Sequence, residues 1–225
     1  VQATMADRAV AHAADKLGER QSVFSAAALQ EEAGRIGLGE VSYTEVGTAI
    51  DAATKEGALI DRTFLDRRGA EFAGFTTRQN VETEARMLRI EADGRGGLAP
   101  IASPLAAAKA VANAAAQAER AGFGWNPDQR SATQQLLNSC NRITALQGYA
   151  GTAKTTTVLA TFACEAAARG VSITALAPTA SAAMVLGQAL GTNGDTVARH
   201  LLSPQRGDIG RPAAWIVDEA SLLSA

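Results

Sequence analysis

The sequence is poor in several features that would point to particular classes of protein. Its 225 residues include two cysteines, Cys140 and Cys164, which stand apart without the spacing of a disulfide framework or a metal site. No apolar run approaches the ~20 residues of a membrane span, and the start of the chain has no signal-peptide pattern. These absences favour a reduced, cytoplasmic protein without a membrane span.

Net charge and aromatic side chains are also scarce. The formal net charge is −2, and aromatic residues make up 4% of the chain. Nucleic-acid-binding domains usually carry a clear excess of positive charge, so any contact with nucleic acid here must be local. The length is sufficient for one or two domains, each with its own core.

The first half of the chain has the pattern of a winged helix. Apolar side chains recur at helical spacing over residues 4–19, 25–35 and 42–55. Two short strand patterns follow, at residues 58–62 and 71–77. Three helices followed by a β-hairpin are the order of elements in a winged-helix domain.

The charges of this predicted domain argue against a DNA-binding role. The third predicted helix is mainly acidic, which is a poor match for phosphates. The only local basic cluster lies on the predicted wing, at Arg62, Arg67 and Arg68. A structural or interaction role is therefore favoured over DNA contact.

A glycine-rich break suggests how the chain is divided. A helix pattern over residues 78–91 leads into this break at 93–97. We predict a winged-helix-like N-terminal domain at 1–95, a linker and helix at 96–122, and a further domain at 123–225.

The most informative stretch of this last domain has the pattern of a phosphate-binding loop. A strand-like run at 143–146 enters a glycine-rich turn, and an alanine-rich helical pattern follows Lys154 and Thr155. The glycines let backbone N–H groups point inward, and the helix N-terminus adds a partial positive charge. Lys154 can reach the β- and γ-phosphates of a nucleotide, and the Thr155 hydroxyl can bind Mg²⁺. The predicted cofactor-binding loop consists of Gly148, Tyr149, Ala150, Gly151, Thr152, Ala153, Lys154, Thr155 and Thr156.

One position of this loop departs from the usual pattern, because Ala153 stands where a second glycine is expected. If this residue has a positive φ, alanine costs about 1 kcal/mol relative to glycine. A bound nucleotide could offset that strain. The departure bears more on turnover than on binding.

Residues on both sides of the loop complete a candidate ATP site. Upstream, Asn126 can cap a helix that begins at Pro127, and Gln129 is placed to bind the N6/N7 edge of adenine. Downstream, a short apolar strand at 213–217 ends in Asp218 and Glu219. Asp218 would hold Mg²⁺ through water, and Glu219 would activate the attacking water as the catalytic base.

Two further segments are candidates for contact with nucleic acid. A β-branched strand pattern at 171–176 leads into a turn with Thr179 and Ser181, whose small side chains would let a phosphodiester backbone approach. The segment 196–202 adds His200 near another such edge. A plain strand–helix connection and a packed histidine are the alternatives.

Together these residues resemble the first motor domain of superfamily 1 helicases. The run GYAGTAKTT, followed by APT, is similar to the RecD-like helicase portion of MobF-type (TraI/TrwC-like) conjugative relaxases. The resemblance implies an α/β fold: a RecA-like parallel sheet flanked by helices, incomplete at its C-terminus, after a mainly helical winged-helix-like domain. It also implies an ATP- and Mg²⁺-dependent DNA helicase that binds single-stranded DNA during plasmid transfer, with the conjugative secretion machinery as a further partner.

The resemblance also defines what this chain lacks. The relaxase tyrosines and the three-histidine metal site of the family have no counterpart, since Tyr43 and Tyr149 are the only tyrosines and the chain has two histidines. The second motor domain and its arginine finger would lie beyond Ala225, so these residues alone are expected to be inactive. The alternatives are a vestigial helicase module that binds DNA or the secretion machinery without turnover, and another P-loop ATPase.

Overall fold

The computed structural model describes residues 3–65, 69–149, 151–202 and 212–223. These residues form two compact units, of which one ends at Ile90 and the other begins at Glu91. The domain boundaries placed after residues 95 and 122 stay predictions. Within the described ranges, none of the helices combines the length and the hydropathy that a bilayer crossing requires.

The first unit contains the three predicted helices and the hairpin, with one additional short strand. Its helices are α1 (Met5–Gly18), α2 (Ala26–Ile36), α3 (Tyr43–Lys55) and α4 (Arg78–Asp93), the last of which continues past the unit boundary. Its strands are β1 (Phe24–Ser25), β2 (Leu59–Leu65) and β3 (Glu71–Thr77). The antiparallel sheet has the order β1-β3-β2, so the first unit has the topology of a winged helix.

Local sequence accounts for where the first three helices begin. Thr4, Ser25 and Ser42 each accept a hydrogen bond from a backbone N–H three residues later, as N-cap side chains do. The apolar faces of these helices pack around Phe24 and Leu29, which are fully buried. Strand β1 was not predicted, because two residues are too short to show a periodic pattern.

The second unit is an α/β structure built on a parallel sheet. Its helices are α5 (Pro104–Arg120), α6 (Pro127–Asn138), α7 (Ala160–Ala167), α8 (Ala180–Leu190) and α9 (Val197–Leu202). Its strands are β4 (Ser172–Ala177), β5 (Gly194–Thr196) and β6 (Ala213–Val217), in the order β5-β4-β6. The predicted α/β fold class, with a parallel sheet flanked by helices, is confirmed.

The core of this unit lies between the sheet and two helices. Ala175 of β4 is paired with Gly194 on one side and with Ile216 on the other. Ala175 and Ile216 pack against Ala163 of α7 and Leu186 of α8, and all four side chains are buried. This packing brings the end of β6 close to the start of the helical segment that follows the glycine-rich loop.

The predicted strand at 143–146 is wrong. In the described chain these residues belong to no strand, and the side chain of Ile143 is 46% exposed. The described parallel sheet consists of β5, β4 and β6, and residues 143–146 do not pair with any of its strands. An apolar run of four residues therefore predicted a strand that does not form, because such a run says nothing about the neighbour with which a strand must pair.

Candidate nucleotide-binding site

Helix α6 begins at the edge of the glycine-rich loop. The Asn126 side chain accepts a hydrogen bond from the Gln129 backbone N–H at 2.8 Å, and the Gln129 side chain accepts one from the Asn126 N–H at 2.9 Å. This reciprocal capping box satisfies two N–H groups at the helix start. The Gln129 amide nitrogen also donates to the carbonyl oxygen of Thr152, at 3.0 Å. The structure thus connects the predicted adenine-side residue directly to the loop.

The loop itself is tightly turned and internally bonded. Gly151 has a φ of +77°, and the Thr152 hydroxyl donates to the carbonyl oxygen of Tyr149 at 2.8 Å. A Cβ at position 148 would lie 3.0 Å from the side chain of Lys154, so a larger residue there would make that side chain shift by a few tenths of an ångström. The side chain of Tyr149 is 89% exposed. Ala150 lies outside the described residues.

Lys154 lies half-buried inside this turn. Its Nζ donates hydrogen bonds to the carbonyl oxygens of Gly148, at 2.6 Å, and Tyr149, at 2.8 Å. The positive charge is therefore held at the place where a phosphate group would meet the loop. Charge-assisted hydrogen bonds of this kind are stronger than neutral ones.

The helical segment after the loop starts with a wide turn. Residues Lys154–Leu159 form a π-helix, in which the Ala160 N–H donates to the Thr155 carbonyl oxygen, before α7 begins. The Thr157 hydroxyl donates to the carbonyl oxygen of Ala153 at 2.5 Å, and Thr156 is exposed. Single π-turns inside helices are frequent at functional sites.

Thr155 and Asp218, the two predicted Mg²⁺-binding residues, are in contact. The Thr155 hydroxyl donates to Oδ2 of Asp218 at 2.9 Å, although the two residues are 63 positions apart in the chain. The other carboxylate oxygen, Oδ1, accepts the backbone N–H of Glu219 at 2.9 Å. The Asp218 N–H donates to the carbonyl oxygen of Leu176, so the residue is held at the end of β6 beside β4.

This pair of oxygen ligands fits Mg²⁺. Mg²⁺ prefers carboxylate and hydroxyl oxygens and is usually bound by one or two protein side chains together with phosphates and water. The described part of the chain contains no group of three or more His, Cys, Asp or Glu side chains that could hold a metal by themselves. A magnesium ion at Thr155 and Asp218 would therefore depend on nucleotide phosphates for its remaining ligands.

Glu219 lies exposed immediately after β6. Its φ is 53° and its ψ is 33°, a left-handed conformation that a residue with a Cβ rarely adopts. Ala153 has nearly the same conformation, with a φ of 54° and a ψ of 29°. Among the described residues, these two are the only non-glycine residues with positive φ. Backbone strain of this kind clusters at functional sites, and here both strained residues lie at the candidate site.

We expect Ala153→Gly to stabilise the protein and to leave nucleotide binding intact. Glycine removes the left-handed penalty of about 1–2 kcal/mol but makes the unfolded chain more flexible, so the net gain in the free energy of unfolding should be about 0.5–1 kcal/mol. Chemical unfolding of the two proteins measures this difference. Ala160→Gly is the matched control, because Ala160 has ordinary helical angles and its replacement should destabilise by about 1 kcal/mol. A loss of stability in both variants would contradict the strain argument.

The structure places the predicted DNA-contacting residues in different environments. Thr179 is exposed as the N-cap of α8, where it accepts the Ala182 N–H, and Ser181 is exposed beside it. His200, in contrast, is only 6% exposed, and its ring packs edge-on against Trp215 with ring centroids 5.2 Å apart. A ring this buried offers little surface to DNA, so Thr179 and Ser181 are the better placed of the three predicted residues for such a contact.

Several features of the site have no signal in the sequence. The Gln129–Thr152 contact, the internal hydrogen bonds of Lys154 and the left-handed Glu219 all arise from tertiary placement. Only the Asn126 capping box has a sequence signature that could have indicated part of this arrangement, namely a capping residue three positions before a glutamine.

Comparison with known proteins finds similarity to a protein family and to a conjugation protein. Residues 124–225 match a protein-family model described as an AAA domain. The chain is 28% identical over 154 residues to the multifunctional conjugation protein TraI of Escherichia coli (strain K12). That alignment covers 68% of this chain, and the chain spans 8% of the length of TraI.

Proposed function

We propose that the chain binds Mg-ATP and single-stranded DNA as part of an ATP-dependent DNA translocase. The match of residues 124–225 to an AAA domain model and the similarity of the chain to TraI support a helicase-like nucleotide-binding module. The chain spans only 8% of the length of TraI, so translocation is proposed as an activity to which these residues contribute. The observation that carries it is the Thr155–Asp218 hydrogen bond, which joins the end of the glycine-rich loop to the end of β6.

The proposed roles follow from the contacts of each residue. Lys154 would exchange its hydrogen bonds with loop carbonyls for bonds to phosphate oxygens. Thr155 and Asp218 would hold Mg²⁺, and the free carboxylate of Glu219 would accept a proton from the attacking water. When bound, Mg²⁺ neutralises charge on the transferring phosphoryl group.

The N-terminus of α8 is the proposed contact for a DNA phosphate. Thr179 and Ser181 are both exposed there, and helix N-termini bind phosphates through free N–H groups and the helix dipole. Such contacts position a strand without reading its sequence. A translocase that moves along any sequence needs this kind of contact.

ATP hydrolysis by the full-length protein, measured with and without single-stranded DNA, tests the proposal. We expect DNA to stimulate hydrolysis, and Lys154→Ala to lower the stimulated rate by about 10²-fold or more, because the loop then lacks the cation that stabilises charge on the transferring phosphate. Intact DNA binding without any hydrolysis in the unaltered protein would contradict the enzyme and indicate a vestigial binding module.

A further inference from the structure

Gln129 makes more contacts than the recognition of a base requires. Its Oε1 accepts the N–H of Asn126, and its Nε2 donates to the carbonyl oxygen of Thr152. The carboxamide accepts the hydrogen bond from Asn126 and donates the one to Thr152. Together these two bonds permit only one orientation of the carboxamide. The side chain therefore connects the first turn of α6 to a residue of the glycine-rich loop.

A count of donors and acceptors shows what remains for a ligand. A carboxamide has two N–H donors and two acceptor lone pairs. Asn126 and Thr152 use one of each, which leaves one donor and one acceptor on Gln129. Gln129 therefore has a donor and an acceptor left for a base while it contacts Thr152. Binding a base does not require the contact with the loop to break.

The contact with Thr152 lies in the same part of the loop as the hydrogen bonds of Lys154. The Thr152 hydroxyl donates to the Tyr149 carbonyl oxygen, and this same oxygen accepts a hydrogen bond from Lys154 Nζ. A chain of three hydrogen bonds thus runs from Gln129 through Thr152 and Tyr149 to the lysine. Movement of Gln129 would therefore displace the backbone that positions Lys154.

We propose that Gln129 is a positioning residue for the phosphate-binding loop, and that it contributes to phosphate affinity even for a ligand that has no base. The proposal rests on the nucleotide-binding function described above and deepens it. A residue that only reads adenine would affect ATP alone. A residue that also holds the loop in position affects the affinity for every ligand that carries the phosphates.

The test uses inorganic tripolyphosphate, which offers phosphate groups without a base or a sugar. Binding of tripolyphosphate, ATP and GTP is measured by calorimetry with Mg²⁺ present, for the unaltered protein and for Gln129→Met. We expect the affinity for tripolyphosphate and for GTP to fall about five- to tenfold, the usual effect of one lost hydrogen bond. The affinity for ATP should fall further, because the contact with the base is lost as well.

Two additional variants make the result specific. Gln129→Asn keeps the amide but is one methylene too short to reach both Asn126 and Thr152, so it should reproduce the loss and decides the question if Gln129→Met does not fold. Gln135→Met is the matched control, because Gln135 lies exposed on the same helix and, among the described residues, its side chain forms a hydrogen bond only with Ser131. It should bind all three ligands as the unaltered protein does.

The outcomes separate the two proposals. Unchanged tripolyphosphate affinity in both Gln129 variants, with weaker ATP binding, would overturn the positioning role and leave the nucleotide site in place. Failure of the unaltered protein to bind any of the three ligands would overturn the proposed function and this inference together.

Discussion

Replacing Glu219 with glutamine is expected to lower ATP turnover by about 10³-fold while changing ATP affinity by no more than about twofold. A general base contributes about 10²–10⁴-fold to a rate, and an amide cannot accept the proton of the attacking water. Within the described part of the chain, the Glu219 carboxylate has no hydrogen-bond or ion-pair partner, so nothing there competes for this role. Its backbone N–H, which donates to Asp218, is unaffected by the substitution. Steady-state hydrolysis by the full-length protein and equilibrium binding of ATP measure the two effects.

Glu165→Gln serves as the matched control for this prediction. Glu165 lies on α7 and forms an ion pair with Arg169 one helical turn later, at 2.6 Å. Such pairs near the surface contribute little, so the same chemical change there should leave turnover within about twofold. Equal turnover in Glu219→Gln and the unaltered protein would exclude Glu219 as the base.

A single methyl group at position 194 is expected to destabilise the second unit by about 3 kcal/mol or more. The Cβ of Gly194→Ala would lie 1.7 Å from the carbonyl oxygen of Ala183 and 2.5 Å from its carbonyl carbon. Both atoms belong to the backbone of α8, so no side-chain rotation can relieve the overlap. Overpacking typically costs about 1–3 kcal/mol, and the cost is higher where the backbone must move.

Neither α8 nor β5, the strand that contains Gly194, can move away to relieve this overlap. On α8, a Cβ at Gly187 would lie 2.4 Å from the backbone nitrogen of Gly194, so the two elements meet at glycines on both sides. Gly194 is also paired with Ala175 at the centre of the sheet. A shift of either element would therefore disturb the core or the strand pairing.

Chemical unfolding followed by tryptophan fluorescence measures this loss selectively. The two tryptophans of the chain, Trp125 and Trp215, both belong to the second unit. Gly97→Ala is the control, because a Cβ there would meet only the Gly94 carbonyl oxygen, at 3.9 Å. Gly97→Ala should change the free energy of unfolding by less than about 0.5 kcal/mol. Similar unfolding curves for Gly194→Ala and Gly97→Ala would contradict the packing argument.

Local sequence patterns account for much of the fold. Capping side chains of Ser, Thr and Asn and helical spacing act over a few residues, so α1, α3 and α6 begin where the patterns predict. Strand β6 was predicted at the residues that form it, 213–217, from their short apolar run.

Features that depend on distant neighbours could not be predicted in the same way. The strand pattern at 143–146 was misleading because a strand needs a paired neighbour, and these residues pair with none of β5, β4 and β6. His200 is buried because Trp215 packs against it from a different element. The left-handed Glu219 is held by the end of β6 and the Asp218 contact, whereas glutamate by itself avoids that conformation.

The hydrogen bonds of Lys154 have a consequence for how fast and how tightly a ligand associates. A free lysine side chain carries about 2 kcal/mol of rotamer entropy, which a ligand would normally have to restrict. Because Nζ is already held by Gly148 and Tyr149, most of that entropy is lost when the protein folds. If the loop binds phosphate as proposed, the ligand would meet a cation whose position is already set, and its association should depend on the exchange of hydrogen-bond partners rather than on ordering of the side chain.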